Sequence, residues 1–209
     1  MTSEPNTGVA LLDANGDVCY INQQSANIYF GEGTQPKDVI GRNLRDLFPP
    51  EWVEDRNAVL NRVRNEGKPI LFRTIWHGRQ HHAWVYPVRP GEDPAGPITR
   101  LLIITRRGGD GDGQPRNTDG FELIESKVVD LGQLGSLTPR ELVVLALLGR
   151  GMSIKEVAEH LYRSEKTIQT QRDSISRKLN LRNRAELVKL VQNVGLNVED
   201  AQRINVEGE

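Results

Sequence analysis

Residues 153–179, "SIKEVAEHLYRSEKTIQTQRDSISRKL", hold two helix starts in close succession. Ser153 with Glu156 three residues later forms a capping box, in which hydroxyl and carboxylate each satisfy a backbone N–H of the first turn. The helix it opens buries Ile154, Val157, Ala158 and Leu161 at helical spacing. After "YRS", Ser164 caps a second helix whose inner stripe is Ile168, Ile175 and Leu179, flanked by Gln171 or Arg172. So short a connection makes the helices cross steeply, as in a helix-turn-helix, and leaves the second one projecting its polar face. That face carries Lys166, Gln169, Thr170, Asp173, Ser176 and Arg177.

The pattern continues on both sides. Thr138-Pro139-Arg140-Glu141 is another capping box, with proline at the first helical position. The apolar run Leu142, Leu145, Ala146, Leu148 follows, and Gly149 and Gly151 end that helix. A fourth helix, roughly 183–194, buries Ala185, Leu187, Val188 and Val191. Residues 138–190 hold eleven Lys/Arg against six Asp/Glu, although the whole chain has a net charge of −1. A basic module on an acidic body points to a polyanionic partner.

In order and spacing, residues 137–191 resemble the LuxR/FixJ-type (GerE-like) DNA-binding domain of bacterial transcription regulators. The likeness rests on Leu137-Thr138-Pro139-Arg140-Glu141, Gly151-Met152-Ser153, Lys155-Glu156-Val157-Ala158, Ser164-Glu165-Lys166-Thr167-Ile168, Arg177-Lys178-Leu179 and Arg182-Asn183-Arg184-Ala185-Glu186-Leu187. The resemblance implies double-stranded DNA as partner and a homodimer, with the fourth helix supporting dimerisation. It places Gln169, Thr170 and Asp173 at base-contacting positions, and Lys166, Thr167, Arg172, Arg177, Lys178 and Arg184 at phosphate-contacting ones. Gln171 stands where the family commonly has histidine. Asp173 gains nothing from phosphates. It either accepts from cytosine N4 as a specificity element or pairs with Arg177 four residues on.

Upstream, "RRGGDGDGQPRNTDG" at 106–120 has nothing to bury and reads as a flexible linker. Phe121, Ile124, Val128, Leu131 and Leu134 follow near helical spacing, so a short interdomain helix or a docked strip is expected there. The boundaries are therefore 1–107, a linker at 108–136, the helical domain at 137–196 and a polar, frayed tail at 197–209.

The first hundred residues read as an antiparallel sheet of five strands with helices on one face, which makes the whole chain α+β with an all-α second domain. Asn15-Gly16 joins two short strands, and the stretch from Trp52 to Val63 is helical. Three longer strands follow, the first two joined at Gly78-Arg79. That turn pairs Ile70 with Pro87, Phe72 with Val85, Thr74 with Ala83 and Trp76 with His81 on one face. It puts Leu71, Arg73, Ile75, His82, Trp84 and Tyr86 on the other. The first face, with Phe72, Thr74, Trp76, His81 and Val85, lines the core or a ligand cavity. The second invites covering by another segment or a second copy.

Asp13-Ala14-Asn15-Gly16, Tyr20-Ile21-Asn22-Gln23-Gln24-Ser25-Ala26 and Val39–Pro49 resemble the landmarks of a PAS domain, over about 8–107. The resemblance implies sensing of a small molecule or dimerisation, and leaves the cofactor unknown. Leu44 stands where a light-sensing flavin domain has its reactive cysteine. Residues 50–67 contain no histidine for haem, and His77, His81 and His82 at the hairpin are expected to be cross-strand residues rather than a metal site. Cys19 is alone, so no disulfide framework forms. No triad, zinc spacing or phosphate loop marks an enzyme. The lack of an apolar eighteen-residue run or a signal-like start leads us to expect a cytoplasmic protein without a membrane contact. The leading reading is a DNA-binding regulator under PAS control. The alternatives are a two-component-type response regulator output protein and a PAS-dependent protein-interaction adaptor.

Overall fold

The computed structural model describes residues 7–91, 93, 96–108, 118 and 120–206. Strands β1 (Thr7–Asp13) and β2 (Val18–Ile21) form the first hairpin, followed by helix α1 (Gln23–Phe30), two 3-10 turns and the long helix α2 (Pro50–Glu66). Then come β3 (Ile70–Trp76), β4 (Arg79–Val88) and β5 (Arg100–Arg107). The first hairpin turns where expected. Gly16 has φ +91°, and the Asp13 carboxylate accepts from the Asn15 and Asp17 amides at 2.8 and 2.9 Å. The strand order is β2-β1-β5-β4-β3, all neighbours antiparallel, with α1 and α2 on one face.

Two expectations need correction. The β3–β4 turn is His77-Gly78, not Gly78-Arg79, so Ile70 pairs with Val85, Phe72 with Ala83, Thr74 with His81 and Trp76 with Arg79. Both turn residues have positive φ, 49° and 65°, which matches a two-residue turn to the sheet twist. Every partner moves by two residues. Side chains alternate with period two, so each still lies on its expected face.

The second correction concerns residues 121–136 and the tail. Most of the glycine-rich linker lies outside the described residues, and of the two forms expected after it the docked strip is found, not the helix: 122–136 are strand and 3-10 turn, with Val129, Leu131 and Leu134 in the core of the helical domain. Strand β6 (Glu122–Glu125) pairs parallel to β3, which makes the sheet six-stranded and mixed. Strand β7 (Val128–Val129) follows, and its two side chains point to opposite sides: Val128 joins the core under α2, Val129 the core of the helical domain. That domain consists of α3 (Pro139–Gly149), α4 (Ile154–His160), α5 (Glu165–Lys178) and α6 (Arg184–Val194). The tail returns through a 3-10 turn at Val198–Gln202 and strand β8 (Ile204–Asn205), which pairs parallel to β7.

The outer sheet face is thereby covered from within the same chain. Ile75 of β3 is fully buried and belongs to the core of the helical domain. Asp130 pins the β3–β4 turn: its carboxylate accepts from the His77 amide and its carbonyl from the Gly78 amide, both at 3.0 Å. A Cβ on Gly78 would lie 3.3 Å from the Leu131 carbonyl oxygen, so with φ at +65° a side chain there would be strained and would press that backbone outward by a few tenths of an ångström. Beside it, the buried Arg73 guanidinium donates to both Asp200 oxygens at 3.0 and 2.9 Å, to Glu125 at 2.8 Å and to the Gly195 carbonyl at 2.6 Å. Arg203 pairs with the same two carboxylates. Burial opposes the Arg73 charge, but its hydrogen bonds to Asp200 and the charges of Asp200 and Glu125 outweigh that and raise its pKa.

Removing Asp200 strips the buried Arg73 of its bidentate partner and leaves it only Glu125 and the Gly195 carbonyl. Asp200→Ala is expected to cost about 3–5 kcal/mol in chemical denaturation. Adding Arg73→Met in the same chain should return part of that loss. Equal stability of Asp200→Ala and wild type would show that the contact does not hold the domains.

Candidate nucleic-acid interface and sensor cavity

Three helices of the second domain start on the expected caps Thr138, Ser153 and Ser164, and Asn183 caps the fourth; each accepts from a backbone amide of the first turn. Between α4 and α5 the chain reverses at Tyr162, which has φ +53° and is 92 % exposed. Sequence reasoning passed over this tyrosine because nothing marks a left-handed position when it is not glycine or asparagine.

Helix α5 buries Ile168 and Ile175 completely and is clamped to α3. The clamp is Glu141, which accepts from the Thr138 amide at 2.8 Å, the Ser174 hydroxyl at 2.8 Å and Lys178 Nζ at 2.7 Å. Burial would raise the Glu141 pKa. Its hydrogen bonds, first that from Lys178, win and hold it at about 2. Gly149 brings α3 and α6 together, since a Cβ there would lie 2.3 Å from a Val191 methyl. With those contacts fixed, the orientation of α5 is fixed.

The structure places Gln169, Thr170 and Asp173 together on the exposed side of α5. Gln169 Nε2 donates to Asp173 Oδ1 at 2.9 Å, and Arg172 donates to the same oxygen at 3.1 Å. Neither bond is the Arg177 pair suggested by spacing. The Thr170 hydroxyl donates back to the Lys166 carbonyl at 2.9 Å, and Thr167 pairs with the capping Ser164 hydroxyl at 2.8 Å. Lys166 and Arg177 project from exposed positions, and Arg172 is half-buried. Lys178 is engaged by Glu141. Arg184 donates to the Gly151 and Met152 carbonyls at 2.7 and 3.3 Å, tying α6 to the turn before α4.

The five residues named on the inner sheet face, Phe72, Thr74, Trp76, His81 and Val85, are all buried. Phe72 and Val85 line a cavity of about 60 Å³ between the sheet, α1 and α2, and Thr74, Trp76 and His81 do not. Trp76 packs instead in an aromatic cluster with Phe48 and Trp52 and donates to the Tyr29 carbonyl at 3.1 Å. The cavity also has a polar member that the sequence reading missed, Arg56 of α2. An arginine at a helical core position gives no signal of its own, because the same spacing serves a solvated face.

Comparison with known proteins agrees with both halves. Residues 135–191 match the family described as bacterial regulatory proteins, luxR family, and residues 5–107 match the PAS fold. Residues 135–191 thus carry a LuxR-family domain and residues 5–107 a PAS fold. Oxygen regulatory protein NreC of Staphylococcus carnosus is 44 % identical over 52 residues, which cover 25 % of this chain and 24 % of that protein. The putative positive transcription regulator of virulence factors BvgA, from Bordetella pertussis, is 41 % identical over 56 residues, 27 % of each chain. The chain thus matches about a quarter of the length of these relatives. Among solved structures, a Vibrio cholera VqmA complex with ligand and DNA covers 97 % of this chain and 90 % of its own, at 18 % identity and a TM-score of 0.52. That likeness concerns the fold. No helix among the described residues is long and apolar enough to cross a membrane.

The two buried histidines make the sheet sensitive to acid. Burial first, and then Arg73, pushes His82 down to about 4; burial and then Arg107 push His81 down to about 3. The folded chain keeps both rings neutral while the unfolded chain protonates them near 6.5. Their contribution is therefore complete above about pH 7 and is lost as pH falls through 6.5 towards 4, by about 1.4 kcal/mol per pH unit for each ring. Urea denaturation should show that slope, and His82→Gln should make it shallower. An unchanged slope in that variant would remove His82 from the account.

Proposed function

We propose that the chain is a sequence-specific transcription regulator that binds double-stranded DNA as a homodimer in the cytoplasm, reads base edges with α5 and is adjusted through its PAS domain. The observation that carries this reading is the exposed row Gln169, Thr170 and Asp173 on a capped helix whose orientation Glu141 fixes. Asp173 holds one Gln169 N–H, which leaves the other N–H and the amide oxygen for an adenine edge. Its role is thus to aim Gln169, which is a route to specificity different from cytosine contact. Lys166, Thr167, Arg172 and Arg177 suit phosphates, with Tyr162 at the turn beside them. Lys178 and Arg184 already serve the domain's own packing and would reach a phosphate only by sharing. The reading is one of binding and assigns no catalytic residue.

Control through the PAS domain has a physical route. Phe72 lines the cavity on one face of β3, and the next residue, Arg73, grips Asp200 and the end of α6 on the other. A response-regulator reading would need parallel βα units, whereas β2-β1-β5-β4-β3 are antiparallel neighbours.

A binding-site selection followed by titration at several salt concentrations tests the proposal. Affinity should fall steeply with salt, and Lys166→Ala should weaken all sequences alike and lower the log–log slope by about 1. Asp173→Ala should relax base preference at one position while raising affinity for unrelated DNA. A flat salt dependence would sink the DNA-binding role of this face, and unchanged base preference in Asp173→Ala would sink the aiming role.

A further inference from the structure

Arg56 sits in the wrong company for an arginine. It is 8 % exposed, on the inner side of α2, and borders the apolar cavity under the sheet. Its guanidinium carbon lies 4.7 Å from the Trp52 ring centroid and 3.9 Å from that of Phe72. The rings serve its faces by cation–π attraction, which does nothing for the N–H groups at its edge. Both Nη atoms are buried without a hydrogen-bond partner. The Trp52 indole nitrogen and the Ser25 hydroxyl, which border the same cavity, are also buried without one. Burial lowers the Arg56 pKa to about 10, so the group is still a cation at neutral pH. A buried cation with unused donors is costly unless something completes it.

We infer that the cavity is a binding site for a small carboxylate, whose two oxygens take the Arg56 fork while its hydrocarbon part fills the apolar lining. The inference rests on reading this cavity as the sensing site of the PAS domain. The chemistry is selective in three ways. The fork geometry matches a planar carboxylate with two parallel N–H···O bonds. Trp52 and Ser25 can serve the remaining lone pairs. The cavity of about 60 Å³ takes a compact body, since one water needs about 10–15 Å³ on the same measure. A phosphate or a dicarboxylate would bring a second negative charge to a single cation in an apolar wall, and the described lining offers no other cationic group.

The test uses the full chain with isobutyrate, isovalerate and benzoate, each beside its neutral amide. Thermal melts, tryptophan fluorescence and calorimetry are the readouts. At least one acid should raise Tm by about 3–6 °C at about ten times its dissociation constant, and its amide should do nothing. Arg56→Met should melt no lower than wild type without ligand, because it removes an unpaired buried charge, and should lose the response to acid. Arg56→Lys keeps the charge without the fork and should respond more weakly. Equal shifts from acid and amide, or no shift from any acid, would overturn the inference. So would an Arg56→Met protein that is strongly destabilised, since the arginine would then be structural. Operator affinity of the wild type, measured without additive, reports separately on the DNA-binding reading.

Discussion

Arg73 is a buried cation on β3, next to the sheet edge, and its neutralisation decides how the two domains meet. Asp200, Glu125 and the carbonyl end of α6 converge on it from three different segments, and Arg203 closes the same cluster. A cation at a helix C-terminus is favoured by the unsatisfied carbonyls there. The carboxylates supply the rest, and Asp200 also caps its own 3-10 turn through the Asn197 amide. Take away any of these and a charge is left in the seam between two hydrophobic cores. The tail must fold back to supply Asp200, and the segment after the linker must pair with β3 to supply Glu125. The strands β6, β7 and β8 are the backbone consequence of bringing those carboxylates to one arginine.

The seam is apolar on both sides of this cluster. Val128 and Val129, adjacent in sequence, belong to different cores, and Ile75 of the sheet belongs to the helical one. Gly195 approaches so closely that a Cβ would collide with Gln80. Such packing is dense enough to transmit small displacements, because close-packed interiors have little compliance.

The local grammar of the helical domain was legible in the sequence. Three capped starts and a helical apolar period specify helices from neighbours within a few positions, and the chain obeys them at Thr138, Ser153 and Ser164. The sheet faces were legible too, even with the turn misplaced, because a two-residue shift preserves alternation. What the sequence concealed is of another kind. Arg73 and Asp200 are 127 positions apart, and an ion pair has no period to detect. The tail looked frayed because most of its residues are polar, yet it is held by ionic and main-chain contacts, with Val198, Ala201 and Val206 packed against the two cores. Arg56 was hidden for the complementary reason: on a helix with many charges, one more arginine reads as surface.

Magnitudes restrict how a signal in the cavity can reach α5. A ligand shifts an equilibrium only by its differential affinity for two states, and coupling between sites is typically about 1–3 kcal/mol. Rupture of a buried ion cluster costs about 3–5 kcal/mol for one partner alone. Ligand binding beside Phe72 is therefore too weak to release the domains from each other. Under the proposed control by the PAS domain, it would instead change how β3 presents Arg73, and with it the angle at which the end of α6 is held. Since α6 packs on α3 and α3 holds α5 through Glu141, a change of angle at Gly195 would be carried to α5, the helix proposed to face DNA, without any contact being broken. On a two-fold DNA site, the spacing of two such helices is what such a tilt would alter.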